Sequence, residues 1–421
     1  MSYFRLLICS VSVFYWFGCA TYQDRIRPGV DYAVTGKMND AVQHFASLAQ
    51  DKSSRDRLAH LLEYGTILQM AGRYKESSLA FIEADRLSEQ LDFVSVSQTT
   101  MSALSSEEMI DYKGESFEKI MINAMNAINF IALNDMDSAL VEIRRIDEKV
   151  KKFQRDNRED YEFNPFGTYL SGLIYESLQK WDDAYIAYLK TAKMRNASNP
   201  FLLADLNRVA LLSGRQSFLE KEGYYQKDLE RPNLMSPGCE SKKNCGRLNI
   251  IFLQGWGPIK KPSFQNPRFP TLMSRRSQTR SLSVSLQSDL DKIPRSFQTQ
   301  SVYNVEEAAI KTLVADQSAL AMRRLGGFVA KEVVADQIRQ KDELLGFIAW
   351  LTMHLSDRAD LRQWSLLPET IQILKVDLPE GDWEIHINGI NSQRAVSESF
   401  ESRSISIKKN KTQFLVLRSK K

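Results

Sequence analysis

Four cysteines and four histidines are the residues on which covalent or metal chemistry would have to rest, and their placement excludes most of it. His44, His60, His354 and His386 are scattered, and none pairs at i, i+4 along a helix as a zinc site requires. Cys239 and Cys245, with five residues between them, stand in a Pro-, Gly- and Lys-bearing stretch with no histidine nearby. They read as a disulfide loop, as suits an exported chain, and not as a metal site or a nucleophile. There is no Gly-x-Ser-x-Gly elbow and no Walker loop, and Gly326-Gly327 lacks the strand context and spacing of a dinucleotide fingerprint. Carboxylate pairs such as Glu306–Glu307 and Asp357/Asp360 are what any charged chain contains. No catalytic residue, cofactor or metal is expected.

The other two cysteines sit at the start of the chain. Arg5 supplies a short positive region, residues 6–17 form an apolar run of twelve, and Gly18-Cys19 follows. Such a run is too short for a hydrocarbon core of ~30 Å and sits where a signal peptide belongs. Gly18-Cys19 at its end resembles the bacterial lipobox, although Trp16 stands where leucine is common. The resemblance implies cleavage before Cys19, loss of Cys9 with the leader, and acylation of Cys19. At ~0.8 kcal/mol per buried CH₂, several acyl chains make a stable anchor. Ala20, where an aspartate would retain the protein in the inner membrane, implies outer-membrane sorting, facing the periplasm. Ordinary secretory cleavage, or an uncleaved anchor, is the alternative.

Once the leader is removed, the 421-residue chain still has room for two or three domains. Its apolar content of 43% and charged content of 26% are those of an ordinary globular protein. A net charge of +4 gives no case for nucleic acid. The charge is uneven, however: residues 231–300 carry twelve Lys/Arg against three Asp/Glu. That segment would suit an anionic lipid or glycan surface or an acidic partner, or serve only as a solvated basic linker.

Helical periodicity runs from Asp24 to about Tyr225. Three stretches resemble the tetratricopeptide (TPR) repeat, in which small residues let two antiparallel helices approach. In residues 61–84, Gly65 takes the close-packing position, Gly72 the turn, and Tyr74, Ser77, Phe81 and Ala84 follow at second-helix spacing. Ala127, Phe130, Asn134, Ala139 and Ile143 form a second copy, and Gly172, Tyr175, Trp181, Ala184 and Tyr188 a third. Residues 200–222, with Gly214 at the turn, read as one more pair, and 31–48 as a weak opening pair. The aromatic positions mostly pack between helices, so a ligand would be gripped only from the inner, concave face. Residues 91–118 read as an insertion between copies.

After Tyr225 the pattern changes. Residues 226–246 read as a linker holding the cysteine loop, and 247–253 as a buried strand ended by Gly255-Trp-Gly-Pro258. Residues 281–286 alternate as a half-buried strand, and 304–355 return to helix with Asn304 as cap. Within these, 344–355 is nearly all apolar and reads as a helix buried in this domain. Ile371–Leu378, Trp383–Asn388, Ser404–Lys408 and Gln413–Arg418 are expected to form one small antiparallel sheet. An Asp360–Arg362 pair with Trp364 packed over it would orient the two subregions or contact a ligand. Trp256 and Lys260 are candidate partner contacts. The expected organisation is a leader over 1–18, a TPR-like domain over 19–225, a linker over 226–246 and an α+β domain over 247–421. The fold is mainly α, with antiparallel strands at the C-terminal end.

The order of several features, lipobox, Asn164-Pro-Phe, Tyr169–Glu176, Gly255–Lys260, Ala359–Pro368 and Leu378–Gly381, resembles an uncharacterised family of bacterial outer-membrane lipoproteins that join TPR-like repeats to a C-terminal α/β region. The resemblance implies an envelope location and a scaffold role. It supplies no chemistry. The leading expectation is thus a lipid-anchored scaffold that binds a protein partner during assembly of an envelope complex. A glycan- or peptidoglycan-associated lipoprotein is the second, and a hydrolase with an unrecognised site the third.

Overall fold

The computed structural model describes residues 21–95, 110–155, 164–194, 199–226, 239, 244–288, 294–314, 332, 336–345, 347 and 359–420. The lipobox with Cys9 and Cys19, Gly326-Gly327, His354 and Asp357 lie outside them.

Small residues at the helix contacts produce the first half. Its helices are α1 (Tyr22–Val34), α2 (Met38–Gln50), α3 (Arg57–Met70), α4 (Tyr74–Ser95), α5 (Ser116–Ala132), α6 (Met136–Arg155), α7 (Pro165–Ser177), α8 (Trp181–Ala192), α9 (Leu202–Leu212) and α10 (Gln216–Lys221). They stack as successive antiparallel pairs of TPR-like type, each packed on the next. Gly65 and Gly172 mark the closest approaches: a β-carbon there would lie 2.6 Å from Phe81 and 2.3 Å from Tyr188 respectively. Ser77, where the repeat usually carries alanine, donates from Oγ to the Gly65 carbonyl at 2.6 Å. Phe81, Ala84, Ala184 and Tyr188 are buried, while Tyr74 and Trp181 are half-buried at their helix starts. The turn at Gly72 has φ +74°, and the matching turns use Asn134 at +58° and Gln179 at +59°. The opening pair spans Tyr22–Gln50, wider than the 31–48 read from sequence. The expected insertion is shorter than 91–118, because α4 continues to Ser95 and α5 begins at Ser116.

The second half contains β1 (Cys245–Gln254), β2 (Ile259–Pro262), β3 (Pro270–Met273), β4 (Ser281–Ser288), β5 (Arg295–Gln298), β6 (Gln300–Asn304), β7 (Thr370–Pro379), β8 (Gly381–Ile390), β9 (Val396–Ser399), β10 (Arg403–Ile407) and β11 (Thr412–Arg418). A disulfide joins Cys239 to Cys245 at the entry to β1, with Cα atoms 5.8 Å apart. The four C-terminal strands do not make one sheet. β7 and β11 belong to a sheet of order β11-β1-β7-β6, whereas β8 and β10 belong to a second of order β10-β8-β4-β5, with β9 also on β8. The reason is β1, which inserts between β7 and β11 and pairs with the latter in parallel. β2 and β3 form a separate hairpin inside the basic, proline-rich stretch.

The two sheets enclose one apolar layer: Leu248, Ile250 and Phe252 of β1 and Leu374, Val376 and Leu378 of β7 face Leu282, Val284 and Leu286 of β4 and Trp383, Ile385 and Ile387 of β8. β8 keeps a solvent face of Asp382, Glu384 and His386, as alternation predicts. β1 has no solvent face. Ile251 and Leu253 of β1, Ile371 and Ile373 of β7, and Val416 of β11 join the same core as the helices. The chain is therefore three layers, helices on sheet on sheet, and the middle sheet is covered on both sides. Residues 344–355 do not supply a buried helix where they are described: Leu344, Leu345 and Phe347 are exposed. Both apolar faces of the middle sheet are already occupied, and the second sheet's outer face is polar.

The close approaches set a test. Gly65→Ala and Gly172→Ala should each destabilise by about 1–3 kcal/mol through overpacking, despite the better helix propensity of alanine. Gly36→Ala, at a turn with nothing within 4 Å but with φ +79°, isolates backbone strain from overpacking and should cost about 1–2 kcal/mol. Urea unfolding monitored by circular dichroism gives the comparison.

Candidate functional site: the filled concave face

The first helix of each TPR-like pair lines the inner face of the array, and that face is occupied by the chain's own C-terminal half. Residues 359–368 form an irregular strap, with a turn at Ser365–Leu366, across α1, α3 and α5 before β7 begins. Tyr22 Oη donates to the Gln363 carbonyl at 2.7 Å, and Gln23 Nε2 to the Leu361 carbonyl at 2.9 Å. Trp364 is buried on Phe81, ring centroids 5.5 Å apart, with its indole N–H on Thr66 Oγ1 at 2.7 Å. Its backbone N–H donates to Glu118 at 2.8 Å.

At the centre is Glu63 of α3, fully buried. Its carboxylate accepts from the Ser365 N–H at 2.6 Å, the Leu366 N–H at 2.9 Å and Tyr22 Oη at 3.0 Å. The carbonyls of the same two residues are held from the other side. Arg275 Nη2 donates to the Ser365 carbonyl, and Arg418 Nη2 to the Leu366 carbonyl at 2.9 Å. A two-residue peptide unit is thus clamped between a carboxylate of the repeats and two guanidiniums of the C-terminal half. Burial pushes the Glu63 carboxyl up to about 7 even against its three donors. It also lowers Arg275 to about 10, and Arg418, repelled by Arg275 as well, to about 9.

A second anchor lies at the other end of the array. Arg247 of β1 and Lys375 and Asp377 of β7 occupy helix-facing positions of the middle sheet. Glu176 of α7 receives Arg208 Nη2 at 2.7 Å and Arg247 Nη1 at 2.6 Å. Arg247 also pairs with Asp377 at 2.6 Å. Lys375 is ion-paired to Asp205 of α9, which also accepts from Tyr169 Oη at 2.8 Å and Arg208 Nη2 at 2.9 Å. The ammonium also lies 5.3 Å from the Tyr169 ring centroid. Burial acts to raise the Glu176 carboxyl, but Arg208, Arg247 and Lys375 together hold it well below the usual carboxylate range. Between the anchors, Phe166 of α7 stacks on Tyr303 of β6 at 5.8 Å.

All five residues marked in the sequence as possible partner contacts lie in or beside this seam. Arg362 binds Asp360 through Nε at 2.9 Å and Nη2 at 2.7 Å, and donates from Nη1 to the Ile110 carbonyl at 2.6 Å. Its Nη1 is 3.5 Å from Asp56 at the start of α3. Trp256 lies 5.6 Å from the guanidinium carbons of both Arg275 and Arg418. Lys260 is buried and ion-paired to Glu115 at the start of α5. Their partners are inside the chain. Sequence reasoning missed Glu63, Glu176, Asp205, Arg275 and Arg418. The available signal was charge in apolar surroundings: Glu63 within a mostly apolar α3, and Arg247 and Lys375 within mostly apolar strands. Among the described residues, no group of three or more His, Cys, Asp or Glu is placed to hold a metal ion.

No known protein family matches the sequence, and no curated protein does. Among solved structures, the chain is similar to MamA from AMB-1 at 10% identity, over 48% of this chain and 87% of that one, with a TM-score of 0.30. It is also similar to the nearly identical TPR-like repeats of a putative kinesin light chain from Podosopora anserina, at 13% identity over 47% and 90%, TM-score 0.32. A third is the TPR2AB domain of yeast Sti1 in its pHSP90 complex, at 11% identity over 49% and 77%, TM-score 0.22.

Two variants separate the anchors. A carboxyl raised by folding stabilises most below its unfolded value of about 4.5 and loses that contribution as pH rises through about 7. The stability of the native chain relative to Glu63→Gln should therefore fall across that window, by up to about 3 kcal/mol, in urea titrations at successive pH values. Glu176→Gln leaves the buried cluster with three cations (Arg208, Arg247 and Lys375) against two carboxylates (Asp205 and Asp377) and should cost about 3–5 kcal/mol at pH 7.

Proposed function

We propose that this chain is a lipid-anchored, non-enzymatic envelope scaffold that binds a protein partner while an envelope complex is assembled. In this reading Cys19 carries the acyl chains, Ala20 directs the protein to the outer membrane, and the folded part faces the periplasm. The apolar run before Gly18-Cys19 supports the anchor, and the Cys239–Cys245 disulfide fits an oxidising compartment.

The observation that carries the scaffold reading is the filled groove. The concave face is spent on the chain's own strap and sheet, so partner binding moves to the outer helices. There Leu79 of α4, Val141 of α6 and Ile186 of α8 each stand five residues after the first residue of their helix. They are 64%, 48% and 55% exposed, an apolar row repeated across three consecutive pairs. A repeat array supplies binding surface without catalysis. Association with peptidoglycan or another glycan remains the second reading, favoured by one observation: residues 241–288 contain no acidic side chain.

Crosslinking in intact cells, followed by identification of the captured protein, tests the proposal. The native chain should yield one defined partner. The triple variant Leu79→Glu, Val141→Glu and Ile186→Glu, at exposed positions, should fold normally and lose that partner at least tenfold. Equal capture by the variant, or no specific partner with either chain, would refute the scaffold reading.

A further inference from the structure

The β2–β3 hairpin is built unlike the rest of the surface. Its loop, residues 263–269, presents Phe264 fully exposed, flanked by exposed Lys261 and Arg268. Met273 at the end of β3 is 43% exposed, and exposed Arg276 follows. No acidic residue occurs between Glu240 and Asp289. An aromatic side chain at a tip, flanked by cations in a stretch of chain without acids, leaves its apolar area in water. That chemistry suits the boundary between anionic headgroups and acyl chains, where an aromatic ring buries its body and Lys or Arg stays among the phosphates.

The root of the hairpin lies at the end of the molecule where the N-terminal segment joins. Gln363 ties the two together. Its carbonyl accepts from Tyr22 Oη at 2.7 Å, its Nε2 donates to the Pro258 carbonyl at 2.7 Å, and its Oε1 accepts from the Lys260 N–H at 2.9 Å. Lys260 is also paired to Glu115, the N-cap of α5, and Arg25 of α1 to Asp56, the N-cap of α3. First helices of successive repeats run parallel, so these N-termini form one edge of the array, the edge from which residues 1–20 emerge. Two residues separate Cys19 from Tyr22, so the span is about 11 Å at most. The hairpin reaches about 17 Å from Ile259 to Phe264.

We propose that this hairpin is a membrane-surface finger, with Phe264 entering the interface of a bilayer that contains anionic lipid and Lys261 and Arg268 resting on its headgroups. The inference rests on the anchored reading, in which Cys19 brings that edge to the bilayer. The finger would then fix the orientation of the scaffold, which an acyl tether alone leaves free to swivel. An isolated ring with two cations on a projecting tip matches an anionic lipid surface, so lipid is the occupant the residues favour.

The test places a photoreactive benzoylphenylalanine at position 264 of the full chain, reconstituted in phosphatidylglycerol–phosphatidylethanolamine vesicles and, separately, expressed in cells. The same probe at Val396, exposed on β9, is the control. Lipid adducts at 264 should exceed those at 396 at least fivefold, and the Lys261→Glu, Arg268→Glu pair should remove the excess. Adduct yields equal at the two positions, or adducts at 264 to glycan or protein in place of lipid, overturn the proposal. Mass spectrometry of the N-terminal peptide reports acylation of Cys19 independently. Acylated Cys19 without adducts sinks the finger alone, and adducts without acylation sink the anchor alone.

Discussion

The structure depends on a sheet with no free face. Once β1 is covered by the sandwich on one side and by helices on the other, every charge on its helix side must be paired within the protein. Arg247, Lys375 and Asp377 meet that requirement only because Glu176, Arg208 and Asp205 stand at matching heights on α7 and α9. Removing such charges from water costs several kcal/mol per ion, and their pairing does little more than recover it. Their effect is on register. Sliding the sheet by one residue would turn Lys375 into the apolar sandwich and leave Asp205 without its ammonium. The apolar contacts hold the layers together; the charges decide how they align.

The strap applies the same logic at the other end of the array. Glu63 takes two backbone N–H groups, and Arg275 and Arg418 take the carbonyls of the same residues. An irregular backbone crossing a buried groove has no strand neighbours to satisfy its polar groups, so side chains must do it. Trp364 then packs between Thr66 of α3 and Phe81 of α4. Filling the groove in cis joins repeats far apart in sequence to one rigid sheet, so an array whose units otherwise touch only their neighbours becomes a single body.

Much of this was legible from residue patterns. Gly65, Gly72 and Gly172 announced the helix pairs, because only a small side chain admits Phe81 or Tyr188 and a positive φ favours glycine at the turn. The apolar run Ile250–Leu253 announced a buried strand. Pairing was not legible. Nothing local to Thr412–Arg418 says that β1, more than 150 residues earlier, will come between it and β7, since a strand's partners are set by the core that the whole chain builds. The anchors were hidden for the same reason. Glu63 looks like any glutamate on a helix until a strap 300 residues away turns its amides toward it. Leu344, Leu345 and Phe347 are exposed where an apolar pattern alone suggests burial, because a chain buries only as much as its open faces can receive.

A filled groove also changes what the repeats are good for. An open TPR-like superhelix pays part of its binding energy in ordering, because its curvature can vary from unit to unit. Here five helix pairs are fixed against one sheet by anchors at both ends, at Glu63 and at Glu176. The spacing of Leu79, Val141 and Ile186 is therefore set before any partner arrives. Such a row favours a partner whose own apolar positions recur at the distance between helix pairs, and it penalises one that would need the array to bend. In the proposed scaffold, selectivity on this surface would come from the internal contacts that the same chain makes on its opposite face.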